Sequence, residues 1–461
     1  MSITGEAAPP VADAAGDTPV PLRRNRDFLL LWGGAGLTLL GSRASSVAYP
    51  LLLLWSTGSA SAAAVAGFAA QLPQLLIQLP AGALVDRWDR KRLMVLCSAG
   101  CALSAASVVA AVACGRVWLP HLAGAAFVEG TLMVCYRLAE RAGVRHVVPA
   151  SQLTAALAGN EARGRAAGLV GQPAGSVAFA AVRWSPFLLA GVAHLLSLAA
   201  VLLIRKPFQR KAEPARRRRL GPEIAEGVRW LWQRRFLRRI TLLISGSNVV
   251  FQALALLPAF VLYEDGLSAG TVGVIASISG VGGACGALAG GRASRRLGLP
   301  VLVCSALAAW AVLVPALALT RSPVLLGALF AGMSFVGGVV NVAGGIYQVE
   351  ITPDALQGRV NSVLQLFGSG ANSLGVLAGG LLLDAMGAAV TAAVLGAVMA
   401  VLALTAALSK LSRLHRLTHH SSDAPSEDRT DARPDAPSED RTDAPSEDRT
   451  DAPSDAQGET A

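Results

Sequence analysis

Gly82-Ala83-Leu84-Val85-Asp86-Arg87-Trp88-Asp89-Arg90-Lys91 leads from the end of one apolar run, 61–85, toward the next, 93–114, and its reading decides the fold. Apolar runs of about twenty residues without alternation fit membrane-crossing helices and not the strands of a β-barrel. Half of the intervening stretch is charged, so it reads as a short polar turn between two spans. Each residue type has a physical use there. A glycine at 82 lets two helices approach closely. A carboxylate at Asp86 accepts hydrogen bonds from helix N-termini and pairs with arginine. Arg87, Arg90 and Lys91 place positive charge on one face of a membrane. A carboxylate–arginine latch of this kind holds one conformation and breaks in another.

Outward from this turn the chain keeps the same character. Of its 461 residues, 53 % are apolar and only 15 % charged, against about 25 % charged in an ordinary soluble domain. Mean hydropathy is +0.50. These values exclude a soluble enzyme and a wholly disordered chain. The 48 glycines, with abundant alanine, suit close-packed membrane helices. Twelve spans are predicted. The first six run over 28–55, 61–85, 93–114, 117–138, 157–181 and 185–204. The last six run over 238–263, 268–290, 299–319, 322–347, 360–384 and 388–409. The fifth opens with Glu161, Arg163 and Arg165, a solvated helix start.

The basic residues fall on alternate loops. Arg87 to Arg92, Arg141 and Arg145, Arg292 to Arg296, and Arg359 share one side; the other side has little beyond Arg116, Arg183 and Arg321. Basic loops stay in the cytoplasm, which predicts a multi-pass protein of the cell (inner) membrane with both termini inside. The first 22 residues lack a basic region followed by an apolar core, so no cleavable signal peptide is expected.

Five segments follow. Residues 1–26 form a cytoplasmic N-terminal segment, and 27–204 a first six-helix bundle. Residues 205–237 form a basic cytoplasmic linker, 238–411 a second six-helix bundle, and 412–461 a disordered acidic tail. Positions 205–239 carry 13 Lys and Arg, and Glu223 to Arg239 reads as an amphipathic helix lying on an anionic leaflet. This placement of charge argues against nucleic acid as a partner. The tail repeats DAPSEDRT at 423–430, 435–442 and 443–450, a composition that does not fold. The two bundles repeat each other. The turn at Asp86 recurs 205 positions later at Gly291, and Val148-Pro149 recurs 204 positions later at Thr352-Pro353. Duplicated halves of this kind enclose a central site that opens to each side in turn.

Gly82 to Lys91 matches in full the GxxxDRxxR[RK] loop of the major facilitator superfamily, and about residues 24–412 resemble that family. NRDFLLLWGGAGLTLLG at 25–41 and TPDALQGRV at 352–360 are most similar to its bacterial drug and siderophore exporter branch. The resemblance implies an all-α polytopic membrane protein with twelve transmembrane helices in two pseudo-symmetric six-helix bundles. It assigns gating to Gly82, Asp86, Arg87, Arg90 and Lys91. The stretch Gly168-Leu169-Val170-Gly171-Gln172-Pro173-Ala174-Gly175 resembles the family's antiporter motif in helix five, with the proline one place late and Ser176 in place of a glycine.

Ionisable groups inside a membrane are costly and mark functional candidates. Glu129 sits mid-span in AGAAFVEGTLMVCY; burial disfavours a charged carboxyl, which suits reversible proton binding. Arg43, in the middle of the first span, must face the bundle interior or a partner; an anionic-substrate contact and a side chain snorkelling to the interface are the alternatives. An ion pair between Arg43 and Glu129 is expected. Arg137 on the fourth span is a further candidate for the coupling site or substrate cavity. His194 reads as a packed neutral histidine. Asn248, Gln252, Asn341, Gln348, Gln365 and Asn372 supply uncharged polarity to the second half, and Trp310 and Phe335 aromatic walls. Cys97 and Cys101 lie one turn apart but form no CxxC pair, so neither a metal site nor a disulfide framework is expected, and no cofactor. No GxxxxGK[ST], HExxH or GxSxG is present, so the chain carries no ATP motor and no enzyme signature. The reading is a secondary active transporter, a proton-coupled exporter (antiporter) of a small amphipathic compound such as an antibiotic or siderophore, working as a monomer by alternating access. An importer, a lipid-moving relative, and a non-transporting membrane sensor or immunity protein are the alternatives.

Overall fold

The computed structural model describes residues 21–206, 208, 220–352 and 354–409. The acidic repeat tail, residues 1–20, and residues 207 and 209–219 of the basic linker lie outside the described residues.

The chain is all-α. In the first half, α1 (Arg26–Thr57) is capped by the Asn25 side chain, which accepts from the Phe28 N–H. It ends at Gly58, whose φ of +71° only glycine adopts freely. The second span is α2 (Ala60–Leu76) followed by α3 (Gln78–Arg87), broken at Ile77 four residues after Pro73. Asp89 caps α4 (Arg90–Ala113) by accepting from the Arg92 N–H. Then come α5 (Leu119–Val147), α6 (Leu153–Ala181) and α7 (Ser185–Leu203). The fourth span thus extends nine residues past the predicted 138, because Arg141 and Arg145 stay helical beyond the apolar stretch.

α8 (Leu220–Gln233) leads to the second half. There, α9 (Arg235–Leu254) and α10 (Leu257–Glu264) share the seventh span, broken just before Pro258. α11 (Gly270–Arg296), α12 (Leu299–Ala316) and α13 (Pro323–Ile351) follow. α14 (Asp354–Leu408) holds the last two spans, divided at Gly387, whose φ of +73° reverses the chain. Among the described residues nine helices are long and apolar enough to cross a membrane unaided. The other three of the twelve spans have physical explanations. The second is split at Ile77, the fifth carries Glu161, Arg163 and Arg165, and the last two run as one helix in the count.

Within the first half α1 packs on α5, α6 and α7, and α4 on α5 and α7; within the second, α11 packs on α13, and α14 on α9 and α12. Across the halves the seams are α2 against α14 and α6 against α11. Buried apolar residues form two clusters. The larger joins both halves through Leu51 to Leu54, Ala60, Ala64, Leu254 and Leu262. The smaller (Phe28, Leu31, Val134, Phe208) gathers at the basic-loop end of the first half, and no described residue of the second half belongs to it. Leu103, Leu195, Leu288 and Leu319 point outward, as residues facing lipid do.

The predicted amphipathic helix from Glu223 to Arg239 is interrupted. Arg234 is extended (φ −91°, ψ 96°) and separates α8 from α9. Leu231 is buried, and the Trp232 ring stacks on Phe367 of α14 at 5.6 Å. The apolar face of α8 therefore meets the second half, and the Arg234 guanidinium sits 4.3 Å from the Trp230 ring centre.

Candidate functional site

Three adjoining chambers of about 510, 670 and 910 Å³ run through the interior; both halves line the first and third, and the first half with Gln365 lines the second. Gln172 of α6 lines all three; Arg43 of α1 and Arg137 of α5 line the first two. The first half contributes glutamines and arginines. The second contributes Asn248, Gln252, Asn341 and Asn372 beside an apolar wall of Phe251, Trp310, Phe330 and Met333. Gln365 reaches the chamber at the basic end. Gln348 lines none of them, and Phe335 points outward at 41 % exposure, so only Trp310 of the two predicted aromatics forms a wall. The Trp310 indole N–H donates to the Met333 carbonyl at 3.1 Å, which fixes its ring.

The face opposite the basic loops is sealed. Asp384, near the Gly387 reversal of α14, accepts from the Ser59 hydroxyl at 2.8 Å and from the backbone N–H groups of Ala60 and Ser61 at 2.7 and 2.8 Å. A carboxylate from one half thus caps the N-terminus of α2 in the other, where free N–H groups and the helix dipole favour negative charge. A Cβ on Gly380 would meet the Ala60 carbonyl at 2.5 Å and collide with Ala64, and one on Gly273 would meet the Pro173 carbonyl at 2.9 Å. The Trp55 and Tyr263 rings pack edge to face at 5.5 Å across the same seam. Nearby Arg321 bonds Asp265 at 2.6 Å and Glu264 at 3.1 Å, and these carboxylates raise its pKa above the ordinary arginine value. Midway along the span Gln252 donates to Gln71 at 3.4 Å, and toward the basic end Gln78 donates to Gln365 at 2.7 Å, a bond between the halves on that side.

The basic face is looser. A Cβ on Gly82 would find nothing within 4 Å. Lys91 donates to the Ile204 and Leu202 carbonyls at 2.7 and 3.3 Å, at the C-terminus of α7, and Arg90 donates to the Phe208 carbonyl at 3.2 Å. Both residues are thus occupied within their own half, and Arg87 is exposed. The structure is closed opposite the basic loops, with its cavity reaching toward them.

The motif of α6 positions α1. A Cβ on Gly171 would lie 2.6 Å from that of Arg43, and one on Gly175 2.6 Å from the Ala44 carbonyl. Close contact of the two helices therefore requires glycine at both places, and it sets Arg43 against the cavity. A Cβ on Gly168 meets nothing within 4 Å, and Pro173 lines the chamber of the second half.

Glu129 lies elsewhere, and the Arg43–Glu129 pair expected from sequence is not formed. Glu129 is buried inside the first bundle, accepting from Ser45 Oγ at 2.5 Å and Tyr49 Oη at 3.1 Å. His194 Nε2 stands 3.9 Å from its Oε1, too far for a hydrogen bond, and neither ring nitrogen of this fully buried histidine has a hydrogen-bond partner. The reason is helical geometry. Ser45 and Tyr49 are four residues apart on one face of α1, while Ser42, Arg43 and Ser46 face the cavity. Another pair was not legible: Arg163 of α6 bonds Glu140 of α5 at 2.8 Å and the Trp32 carbonyl at 3.0 Å, both side chains about nine-tenths buried. Sequence placed Arg163 in a solvated helix start; only Glu161 and Arg165, which pair at 3.1 Å in the open, fit that description.

A polytopic helical bundle in two halves around a polar cavity is the architecture of a membrane transporter. The model of the Major Facilitator Superfamily matches residues 31–332 and 254–439, and the chain belongs to that family. A point mutant of the nucleoside transporter NupG aligns at 12 % identity with a TM-score of 0.66, covering 84 % of this chain and 99 % of that one. A bacterial homologue of the human lysosomal transporter Spinster, solved inward-facing and unoccupied, aligns at 15 % identity and TM-score 0.64, covering 87 % and 96 %. A POT family transporter in complex with a thioalcohol-conjugated peptide aligns at 13 % and 0.63, covering 85 % and 96 %. At these identities the likeness is one of fold. A search of curated protein sequences found no match.

Proposed function

We propose that the chain is a secondary active transporter that exports a small amphipathic compound across the cell (inner) membrane in exchange for protons, with its basic face in the cytoplasm. The observation that carries this reading is one central cavity between two halves, sealed at one face by the Asp384–Ser59 seam and reaching toward the other. Rocking of the halves would break that seam and close the basic face, where Gly82 leaves room for helices to approach.

Glu129 is the proposed proton site. Its carboxylate accepts from Ser45 and Tyr49, on the side of α1 away from the cavity, whereas Arg43 of the same helix faces the substrate space. An ionised carboxylate accepts both bonds; a protonated one has a proton to donate and holds α1 differently. Coupling requires only that proton and substrate favour different states. The helix-five motif and the basic loops support export with both termini inside.

The test is proton-driven efflux of a mixed panel of drugs and dyes from everted vesicles, comparing the wild type with Glu129→Gln. The reading expects a compound that the wild type moves with the gradient and the variant does not. Equal transport by the variant would remove Glu129 from coupling.

A further inference from the structure

We propose that the cavity is built for an organic anion, with Arg43 and Arg137 as the headgroup site and the second half as the seat for an apolar body. This deepens the transport reading and rests on it for the cavity's use. The argument begins with the charges. Among the described residues, the acids lining the three chambers are Glu140 and Glu161. Glu140 is engaged by Arg163 at 2.8 Å and Glu161 by Arg165 at 3.1 Å. Arg137 lies in the field of Glu140, but that carboxylate's hydrogen bond goes to Arg163. Arg43, Arg137 and Arg141 therefore line the space with no carboxylate bonded to them.

Their depth rules out a surface explanation. Arg43 stands 17 residues after Arg26 in α1, roughly 25 Å along the helix at 1.5 Å per residue, so its side chain cannot reach the basic face by snorkelling. Arg137 is close enough to feel the positive charge of Arg43. Two guanidiniums that repel each other in a membrane interior are costly, and the cost falls when an anion bridges them. The planar donor fork of arginine suits carboxylate, sulfonate and phosphate. The placement is also structural, since Gly171 alone admits the Arg43 side chain beside α6.

The opposite wall is of another kind. Phe251, Trp310, Phe330 and Met333 present aromatic and thioether surface, with Asn248 and Asn341 as uncharged donors and acceptors. A ligand that satisfies both walls has a negative head and an aromatic or aliphatic body. On the first wall a cation meets arginines, glutamines and two carboxylates already engaged by arginine, and among the described residues the second wall has no acid, so the cavity selects against cations.

The test uses three probes of nearly one shape. Dansylglycine carries a carboxylate, dansylamide is neutral, and dansylethylenediamine is cationic. Binding to the protein in nanodiscs is read by energy transfer from tryptophan, Trp310 lying in the wall. The wild type is expected to bind dansylglycine at least tenfold more tightly than either analogue. Arg43→Gln and Arg137→Gln should each reduce that preference about tenfold, while dansylamide binding stays within about twofold. Arg43→Lys and Arg137→Lys keep the charge and should retain part of the preference, which separates loss of the site from loss of the fold. Equal affinity for the three probes, preference for the cation, or a preference that survives in the double Gln variant would overturn the proposal. Counterflow of the same probes in proteoliposomes separates the two readings. Charge-selective binding without counterflow upholds the anion site and sinks the transport reading. Counterflow confined to the neutral or cationic probe does the reverse.

Discussion

Replacing Gly380 with alanine places one methyl group in the seam between α14 and α2. The ideal Cβ lies 2.5 Å from the Ala60 carbonyl oxygen and closer still to the Ala64 methyl. Carbon atoms pack at about 3.5–4.0 Å, so the helices must part by about 1 Å. The obstructing atoms are the Ala60 carbonyl, whose residue Asp384 holds by its N–H, and the Ala64 methyl, which has no rotamer to move to, so no flexible side chain can give way. Such overpacking costs about 1–3 kcal/mol. That cost is confined to the state in which this face is closed. The gain in helix propensity from Gly to Ala, up to about 1 kcal/mol, applies to both states and cancels. The balance between the states should therefore shift about 5- to 150-fold toward opening opposite the basic loops. Gly370→Ala on the same helix is the control, because its Cβ would touch only the end of Leu75 at 3.7 Å. With the six native cysteines replaced, spin labels at Arg145 and Arg296 report on the basic face, and labels at Arg183 and Leu267 on the other. The first distance should shorten and the second lengthen in Gly380→Ala and in neither case in Gly370→Ala. Unchanged distributions in folded protein would refute the claim that this seam holds the closed state.

Asp384→Asn keeps the shape of the seam but loses the charge that three donors meet; the same labels should shift in the same direction, by less than for Gly380→Ala. Lys91→Met removes the cation that caps the α7 carbonyls and should cost about 1 kcal/mol of stability, read as a lower thermal midpoint without a change in probe selectivity. Tyr49→Phe removes one of the two hydroxyl donors to Glu129, and the pH dependence of efflux should move while dansylglycine binding does not; a moved affinity with an unmoved profile would argue against separate proton and substrate sites. Gly171→Leu, whose side chain takes the space beside the Arg43 stem, should weaken dansylglycine binding about as much as Arg43→Gln does.

The fold was legible because membrane helices are written in long apolar runs and charged turns. Gly82 to Lys91, the loop asymmetry and the duplication at about 205 positions led to the all-α architecture of twelve spans, and the family match agrees. The breaks at Ile77 and Arg234 were not legible, since neither residue carries a signal of its own. The site was only partly readable. Arg43, Glu129 and Arg137 stood out because charge is rare in a span. Which of them share a space depends on helix rotation, and a run this uniformly apolar carries little rotational signal. Ser45 and Tyr49, one turn apart on α1, were the residues that could have fixed it. Asp384 falls at the end of an apolar run, where a charge ordinarily faces water, and its role as a cap for α2 depends on a contact 323–325 residues away in sequence. Glu140 and Arg163 were both visible as charges, yet nothing in the chain announced their pairing.

The most direct test of alternating access is a reversible lock across the closed face. The Cβ of Ala180 at the end of α6 lies 3.3 Å from an ideal Cβ on Gly270 at the start of α11, near the about 3.5–4.5 Å of a disulfide. In a cysteine-free background, Ala180→Cys/Gly270→Cys protein in proteoliposomes is oxidised and assayed for saturable flux of the anionic probe, then reduced and assayed again. The account predicts flux in the reduced protein, none once the two helices are joined, and recovery on reduction. Flux that continues at full cross-linking would contradict it.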